Sequence, residues 1–149
     1  MRISARTDYA LRVLVSLASD ASRPLTCEGI AEQQQIPYRF LKSVVRDLRM
    51  AGLVRSQRGC EGGYWIGREA AAISVADVVC AVDGELFTVN GEVPDASGYP
   101  APAARLDTLW RGLHAHLSEI FGAVSIADLA GDAPGARAAE LFAHALTEA

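Results

Sequence analysis

Arg39, Lys42, Ser43 and Arg46 recur at the spacing of one helix face, while Phe40, Leu41, Val44, Val45 and Leu48 take the complementary positions. A helix here buries its apolar stripe and turns a row of hydrogen-bond donors outward. Such donors match the base-pair edges of a major groove, and cations further along suit phosphates. Arg39 and Lys42, near the helix start, are the candidates for base edges, and Arg46 and Arg49 for phosphates. The alternative is a set of cations that only solvate a surface helix. Arg58 opens the run Arg58-Gly59-Cys60-Glu61-Gly62, a glycine-rich turn where backbone can approach a duplex and an arginine can enter a narrow minor groove. Thr26 and Tyr38 each offer a hydroxyl to the phosphate backbone, although Thr26 has a second use as a helix cap.

The thiols are the other reactive groups. Cys27, Cys60 and Cys80 are too few and too scattered for a disulfide framework, which suits a reducing compartment. Only a thiolate is reactive. Cys27 falls at a helix N-terminus, whose partial positive charge lowers a thiol pKa, and is a redox candidate. Cys60 is the second, because oxidation beside Arg58 would set bulk or negative charge against DNA; the alternative is an incidental surface cysteine. Cys80 lies among Val78, Val79 and Val82 and reads as a buried small hydrophobe. His114 and His116 are two apart on a helix and point in different directions; with His144 they read as solvated surface. No catalytic residue and no metal ligand is assigned, since the chain has no phosphate-cradling glycine loop ahead of a helix, no serine elbow and no metal-ligand spacing.

The elements that must position these groups follow from the apolar pattern. Residues 4–18 place Tyr9, Ala10, Val13, Leu14 and Leu17 on one helical face, with Ser4 as a cap. A loop through Ser22, Arg23 and Pro24 leads to Thr26 and a short helix over 27–35, with Ile30 and Ala31 inward. Ile36 and Pro37 form the break, and the next helix, 37–51, stops at Gly52. Two short helices joined by a tight turn are the core of a helix-turn-helix. Extended segments 53–57 and 63–66 flank the glycine-rich turn as a hairpin, the wing. Ser74 and Asp77 open a further helix through Val75, Val78, Val79 and Val82, ended by Gly84. Residues 85–102 form a loop. A longer helix over 103–123 aligns Leu106, Leu109, Trp110, Leu113, Leu117, Ile120 and Phe121 as a helix-to-helix seam, and short helices follow over 125–130 and 136–146. The expected fold is mainly α: a winged helix-turn-helix with a small two-stranded β-wing and a long dimerisation helix. Its parts are a DNA-binding domain over 1–84, the loop 85–102, and the dimerisation and C-terminal helices over 103–149.

Length and charge agree with this division. The chain has 149 residues, enough for one ordinary domain or a small reading head with a helical appendage. Neither a signal peptide nor an apolar run of bilayer length is present, so no membrane contact and a cytoplasmic location are expected. The net charge of −4 hides an asymmetry. Residues 1–68 hold 11 Arg/Lys against 6 Asp/Glu, and residues 69–149 hold 3 against 12. A basic front beside an acidic back fits a DNA-reading module that carries a separate assembly module, although uneven surface charge alone would give the same totals.

Several ordered motifs carry a likeness to a known family: Thr7-Asp8-Tyr9-Ala10-Leu11-Arg12, Ile30-Ala31-Glu32, Ile36-Pro37-Tyr38-Arg39-Phe40-Leu41, Ala51-Gly52-Leu53-Val54 with Arg58-Gly59, Gly62-Gly63-Tyr64, and Ile73-Ser74-Val75-Ala76-Asp77-Val78 with Val82-Asp83-Gly84. Together they resemble the Rrf2-type regulators, closely over 1–84 and loosely to about residue 130. The resemblance implies a sequence-specific DNA-binding transcriptional regulator, acting by repression. It also implies a homodimer whose long helices cross, two winged helices on a palindromic operator in double-stranded DNA, and an Arg-Gly wing turn in the minor groove. Many members of that family hold an iron-sulfur cluster through three cysteines in the loop before the long helix. Here that loop, 85–102, has no cysteine, so no cofactor is expected. Asp8 matches a position where some members supply a carboxylate ligand, but a carboxylate in a first helical turn is favourable without metal. The regulator would then answer to thiol redox state or to a small-molecule effector that the sequence does not name. The alternative function is a regulatory interaction module that binds a metabolic enzyme through the acidic back half and the loop.

Overall fold

The computed structural model describes residues 3–95, 98–131 and 133–147. Arg2, Asp132 and Glu148, counted in the charge division, lie outside the described residues. Ser4 caps α1 (Ala5–Ser19) by accepting the Thr7 N–H at 3.1 Å, and the helix buries Ala10, Val13, Leu14 and Leu17 as its spacing predicts. Thr26 caps α2 (Cys27–Gln34) through the Gly29 N–H, also at 3.1 Å. Gln35 then turns into the left-handed region at φ 54°, uncommon for a non-glycine residue. The Ile36 N–H closes the turn onto the Ala31 carbonyl at 2.9 Å, and α3 (Tyr38–Met50) departs in a new direction.

After α3, Gly52 takes φ 72°, and the Leu53 N–H returns to the Leu48 carbonyl at 2.9 Å, the glycine-dependent helix ending that the sequence predicts. Strands β1 (Val54–Gln57) and β2 (Gly63–Ile66) pair antiparallel, with Val54 opposite Ile66 and Ser56 opposite Tyr64. Leu25 adds a single-residue bridge: its N–H donates to the Tyr64 carbonyl at 3.0 Å and its carbonyl accepts from Tyr64 at 2.8 Å. Glycine at 63 permits this approach, since a Cβ there would sit 2.8 Å from the Leu25 carbonyl oxygen. A 3₁₀ turn (Ala70–Ala72) leads to α4 (Val75–Asp83), opened by the Ser74–Asp77 capping box. Next come α5 (Arg105–Ala123), α6 (Ile126–Ala130), opened by a second capping box from Ser125 and Asp128, and α7 (Ala136–Thr147). Among the described residues no helix is long and apolar enough to cross a membrane.

One apolar core joins Val13 and Leu14 of α1, Ile30 of α2, Leu41, Val44 and Leu48 of α3, Leu53, Ile73 and Val78. It also takes Ile126, fully buried, from the far side of α5. The Val75 N–H donates to the Val124 carbonyl at 2.9 Å and the Ile126 N–H to the Ile73 carbonyl at 2.8 Å. The chain therefore leaves the winged-helix body after α4, runs through α5, and returns to complete the same core. Asp83, at the end of α4, accepts hydrogen bonds from Ser4 (2.8 Å) and from the fully buried Thr7 hydroxyl (2.7 Å), tying α4 to the start of α1.

Four side chains depart from expectation. Phe40 is 45% exposed rather than buried, because it lies about 90° around α3 from the centre of the arc that Leu41, Val44, Val45 and Leu48 fill, just beyond its edge. Cys80 is exposed rather than buried, since Val78 and Val79 take the inward arc of α4. Trp110 turns toward its own loop, its ring 6.3 Å from that of Phe87. His114 is half-buried, its Nδ1 shielded from water and without a hydrogen-bond partner among the described residues, whereas His116 is exposed.

If Ile126 completes the winged-helix core, Ile126→Ala should lower stability by about 2–4 kcal/mol, the usual cost of emptying a buried aliphatic site. A chain ending at residue 84 should fail to unfold cooperatively. Urea denaturation followed by circular dichroism checks both, and a sharp, stable transition in the truncated chain would contradict the shared core.

Candidate nucleic-acid interface

The direction of α3 is set from α1 on two sides. Arg12 donates through Nε to the Gln34 side-chain oxygen at 3.2 Å and through Nη2 to the Gln34 carbonyl, while the Gln34 amide donates to Ser16 Oγ at 2.8 Å. These bonds hold the end of α2, and hence the turn into α3, against α1. On the other side Arg6 pairs with Asp47 and donates to Ser43 Oγ at 3.2 Å. Ser43 Oγ in turn donates to the Phe40 carbonyl at 2.9 Å, so its proton serves the helix. Arg46 Nε lies 3.4 Å from Asp47.

Arg39, Lys42, Arg49 and Arg58 are exposed, and among the described residues none has a carboxylate within ion-pair distance. Two of these cations sit over rings instead. The Arg39 guanidinium carbon is 4.7 Å from the Phe40 ring centre, and Lys42 Nζ is 5.2 Å from that of Tyr38, contacts that favour a cation over an aromatic face. Lys42 and Arg49 from α3 face Ser56 and Arg58 from the wing across a groove of about 420 Å³. Thr26 lies at the same groove with its oxygen engaged by the α2 cap.

Glu28 supplies the one carboxylate among the groove's lining residues. It accepts the Tyr38 hydroxyl at 2.7 Å, a bond that holds the Glu28 carboxyl below its ordinary pKa, helped by its own backbone N–H. The same bond pushes Tyr38 up to about 12. The Tyr38 proton that the sequence offers to a phosphate is thus committed to Glu28. Cys27 lies at the α2 N-terminus but is buried. Burial first, then neighbouring Glu28, pushes its thiol up against the opposing effect of Lys42. The lowered pKa expected from the helix dipole is therefore overturned, and with it the basis for Cys27 as a redox group. Cys60 is exposed in the wing turn.

The structure brings Tyr38, Lys42, Arg58 and Thr26 together around the groove, with Arg39 on the adjoining face of α3. Ser43 is drawn toward α1 by Arg6, while Arg46 stays exposed beside Asp47 of its own helix. Sequence reasoning missed three groups: Arg6, whose partners lie about 40 residues away in the chain; Phe40, assigned to the core; and Glu28, for which the sequence carries no signal beyond a favourable first helical turn. The seam residues lie on α5, which buries no side chain: Leu106, Leu109 and Leu113 are 37%, 54% and 40% exposed, and Leu117 and Ile120 are half-buried.

A helix-turn-helix with a two-stranded wing, both presenting unpaired cations, defines a winged helix-turn-helix DNA-binding protein. The family model Rrf2, described as "Iron-dependent Transcriptional regulator", matches residues 3–132, and the chain belongs to this family. A protein of Mycobacterium tuberculosis provisionally named an HTH-type transcriptional regulator is 38% identical over 146 residues, covering 95% of this chain and 88% of that one. The HTH-type transcriptional regulator CymR of Bacillus subtilis is 32% identical over 143 residues, covering 95% and 99%. The solved structure of CymR, titled the global cysteine regulator of B. subtilis, superposes with a TM-score of 0.74 at 30% identity, over 87% of this chain and 96% of that one. This chain is likewise a DNA-binding transcriptional regulator rather than an enzyme. Its donors do not fit an iron centre of the kind the family description implies. The loop between α4 and α5 has no cysteine, the three thiols lie on α2, the wing and α4, and no group of three or more His, Cys, Asp or Glu among the described residues could hold a metal.

The Glu28 bond gives a direct spectroscopic check. Among the four tyrosines, Tyr38 should ionise near pH 12, and Glu28→Gln should bring it back toward about 10. Because the bond favours the neutral phenol, its contribution to folding is present below about pH 10 and is lost as pH rises through about 12. Ultraviolet titration of the phenolates follows it, and identical curves for wild type and Glu28→Gln would contradict the assignment.

Proposed function

We propose that this regulator is a cytoplasmic homodimer that represses transcription by occupying a palindromic operator. In each subunit Arg39 and Lys42 read base edges in the major groove, Arg46 and Arg49 hold phosphates, and Arg58 enters the adjoining minor groove. Thr26, Tyr38 and Ser43 border this surface and shape it, with their hydroxyl oxygens engaged within the protein. The observation that carries this reading is the groove between α3 and the wing, where Lys42, Arg49 and Arg58 stand without carboxylate partners in a chain of net charge −4. Glu28, bonded to the Tyr38 hydroxyl, is the one carboxylate that lines this groove, so the cations there outnumber it, as expected of a surface meant for a polyanion.

The dimer rests on α5. A 19-residue helix without a buried side chain that exposes Leu106, Leu109 and Leu113 presents an apolar stripe of the kind proteins cover. Leu117 and Ile120 continue it, and Trp110 stands at its edge against Phe87. A second copy packed on this stripe about a two-fold axis would present two α3 helices related by the same axis, which is the symmetry of an inverted repeat.

Selection from random duplexes should recover an inverted repeat, and Leu109→Glu should yield a monomer in sedimentation velocity. Operator affinity should fall by about 100-fold, the gain that joining two half-site contacts brings. A Leu109→Glu protein that remains dimeric and binds with wild-type affinity would overturn the α5 dimer.

A further inference from the structure

We infer that Phe40 and Arg39 form one specificity-determining unit on α3, with the Phe40 ring packing on a thymine C5-methyl and Arg39 taking the guanine of a neighbouring base pair. This rests on the DNA-reading role proposed for α3. Phe40 lies in the first turn of α3 and is 45% exposed. The core gives it no work, because Leu41, Val44, Val45 and Leu48 fill the inward arc. An exposed aromatic ring at the start of a recognition helix stands where base edges are contacted. The apolar feature available there is the thymine methyl, which phenylalanine contacts favourably.

The surroundings of the ring support reading rather than mere exposure. The Phe40 carbonyl is held by Ser43 Oγ at 2.9 Å, and Ser43 accepts from Arg6 of α1 at 3.2 Å, so the turn that carries the ring is anchored to the scaffold. Over the ring lies the Arg39 guanidinium, 4.7 Å from its centre, and this cation has no ion pair among the described residues. A guanidinium resting on an aromatic face keeps its donors free at the edge, the fork that matches guanine O6 and N7. Phe40 is also on the opposite edge of α3 from Lys42 and Arg49, which line the groove toward the wing, so it samples a different part of the duplex.

The test uses the full chain and the duplex recovered by selection. Replacing each thymine in turn by deoxyuridine removes the C5-methyl alone. At one thymine per half-site, next to a guanine, wild-type affinity should drop about four-fold, the worth of one buried methyl-sized group. Phe40→Ala should bind the thymine and deoxyuridine duplexes equally, while Phe40→Tyr keeps the discrimination. Replacing the adjacent guanine by 7-deazaguanine should weaken wild type and leave Arg39→Ala unaffected. Because the ring is exposed, Phe40→Ala should keep its melting temperature, its dimer and its low-salt affinity for random duplex. If no thymine shows a methyl effect that Phe40→Ala abolishes, or if Phe40→Ala dissociates the dimer, the unit is overturned while the operator reading stands. Failure to select any duplex would overturn both.

Discussion

Every feature of the interface follows from how α3 is seated. Leu41, Val44, Val45 and Leu48 are drawn into the core with almost no exposed surface, and burying four aliphatic side chains contributes far more than any surface charge pair of this chain. Once that arc is inward, the remaining positions must point out, and they carry Arg39, Lys42, Arg46 and Arg49. The helix cannot roll to hide its cations without emptying the core. Hydrogen bonds from α1 then fix the tilt: Arg12 to Gln34 at the approach, Arg6 to Ser43 and Asp47 along the side. Individually such contacts are worth little at a surface. Their effect here is geometric, since they leave α3 one orientation relative to the wing.

The second consequence of that core concerns α5. The strand of chain after α5 contributes Ile126 to the same cluster and pairs its backbone with residues 73 and 75. Both ends of the excursion are therefore fixed on the DNA-binding body. A partner packed on the exposed leucines of α5 would be coupled mechanically to the winged helix rather than tethered by a loose linker. The loop that precedes α5 joins this arrangement through Phe87 and Trp110.

Much of this was legible in the sequence because it rests on local rules. Caps at Ser4, Thr26 and Ser74, helix endings at Gly52 and Gly84, and the hairpin around 58–62 all depend on residues within a few positions of one another. The basic face of α3 was legible for the same reason, although periodicity placed Phe40 inward when it lies just outside the buried arc. What escaped depends on distant partners. Nothing near Arg6 announces Asp47, nothing near Cys27 shows that burial outweighs the helix dipole, and nothing near Ile126 reveals a core begun more than a hundred residues earlier. The Glu28–Tyr38 bond belongs to the same class.

The central claim is that Lys42, Arg49 and Arg58 face one duplex as cations that form no ion pair among the described residues. The dependence of operator affinity on salt concentration tests it directly. The logarithmic slope for wild type should be steep; Arg49→Ala should reduce it by about 0.9 per lost phosphate contact in each subunit, and Lys42→Ala and Arg58→Ala should also lower it, because each removes a cation held against the polyanion. Arg137→Ala, which removes a cation paired with Glu119 and Glu140, should leave the slope unchanged. Equal slopes across all four variants would contradict the account.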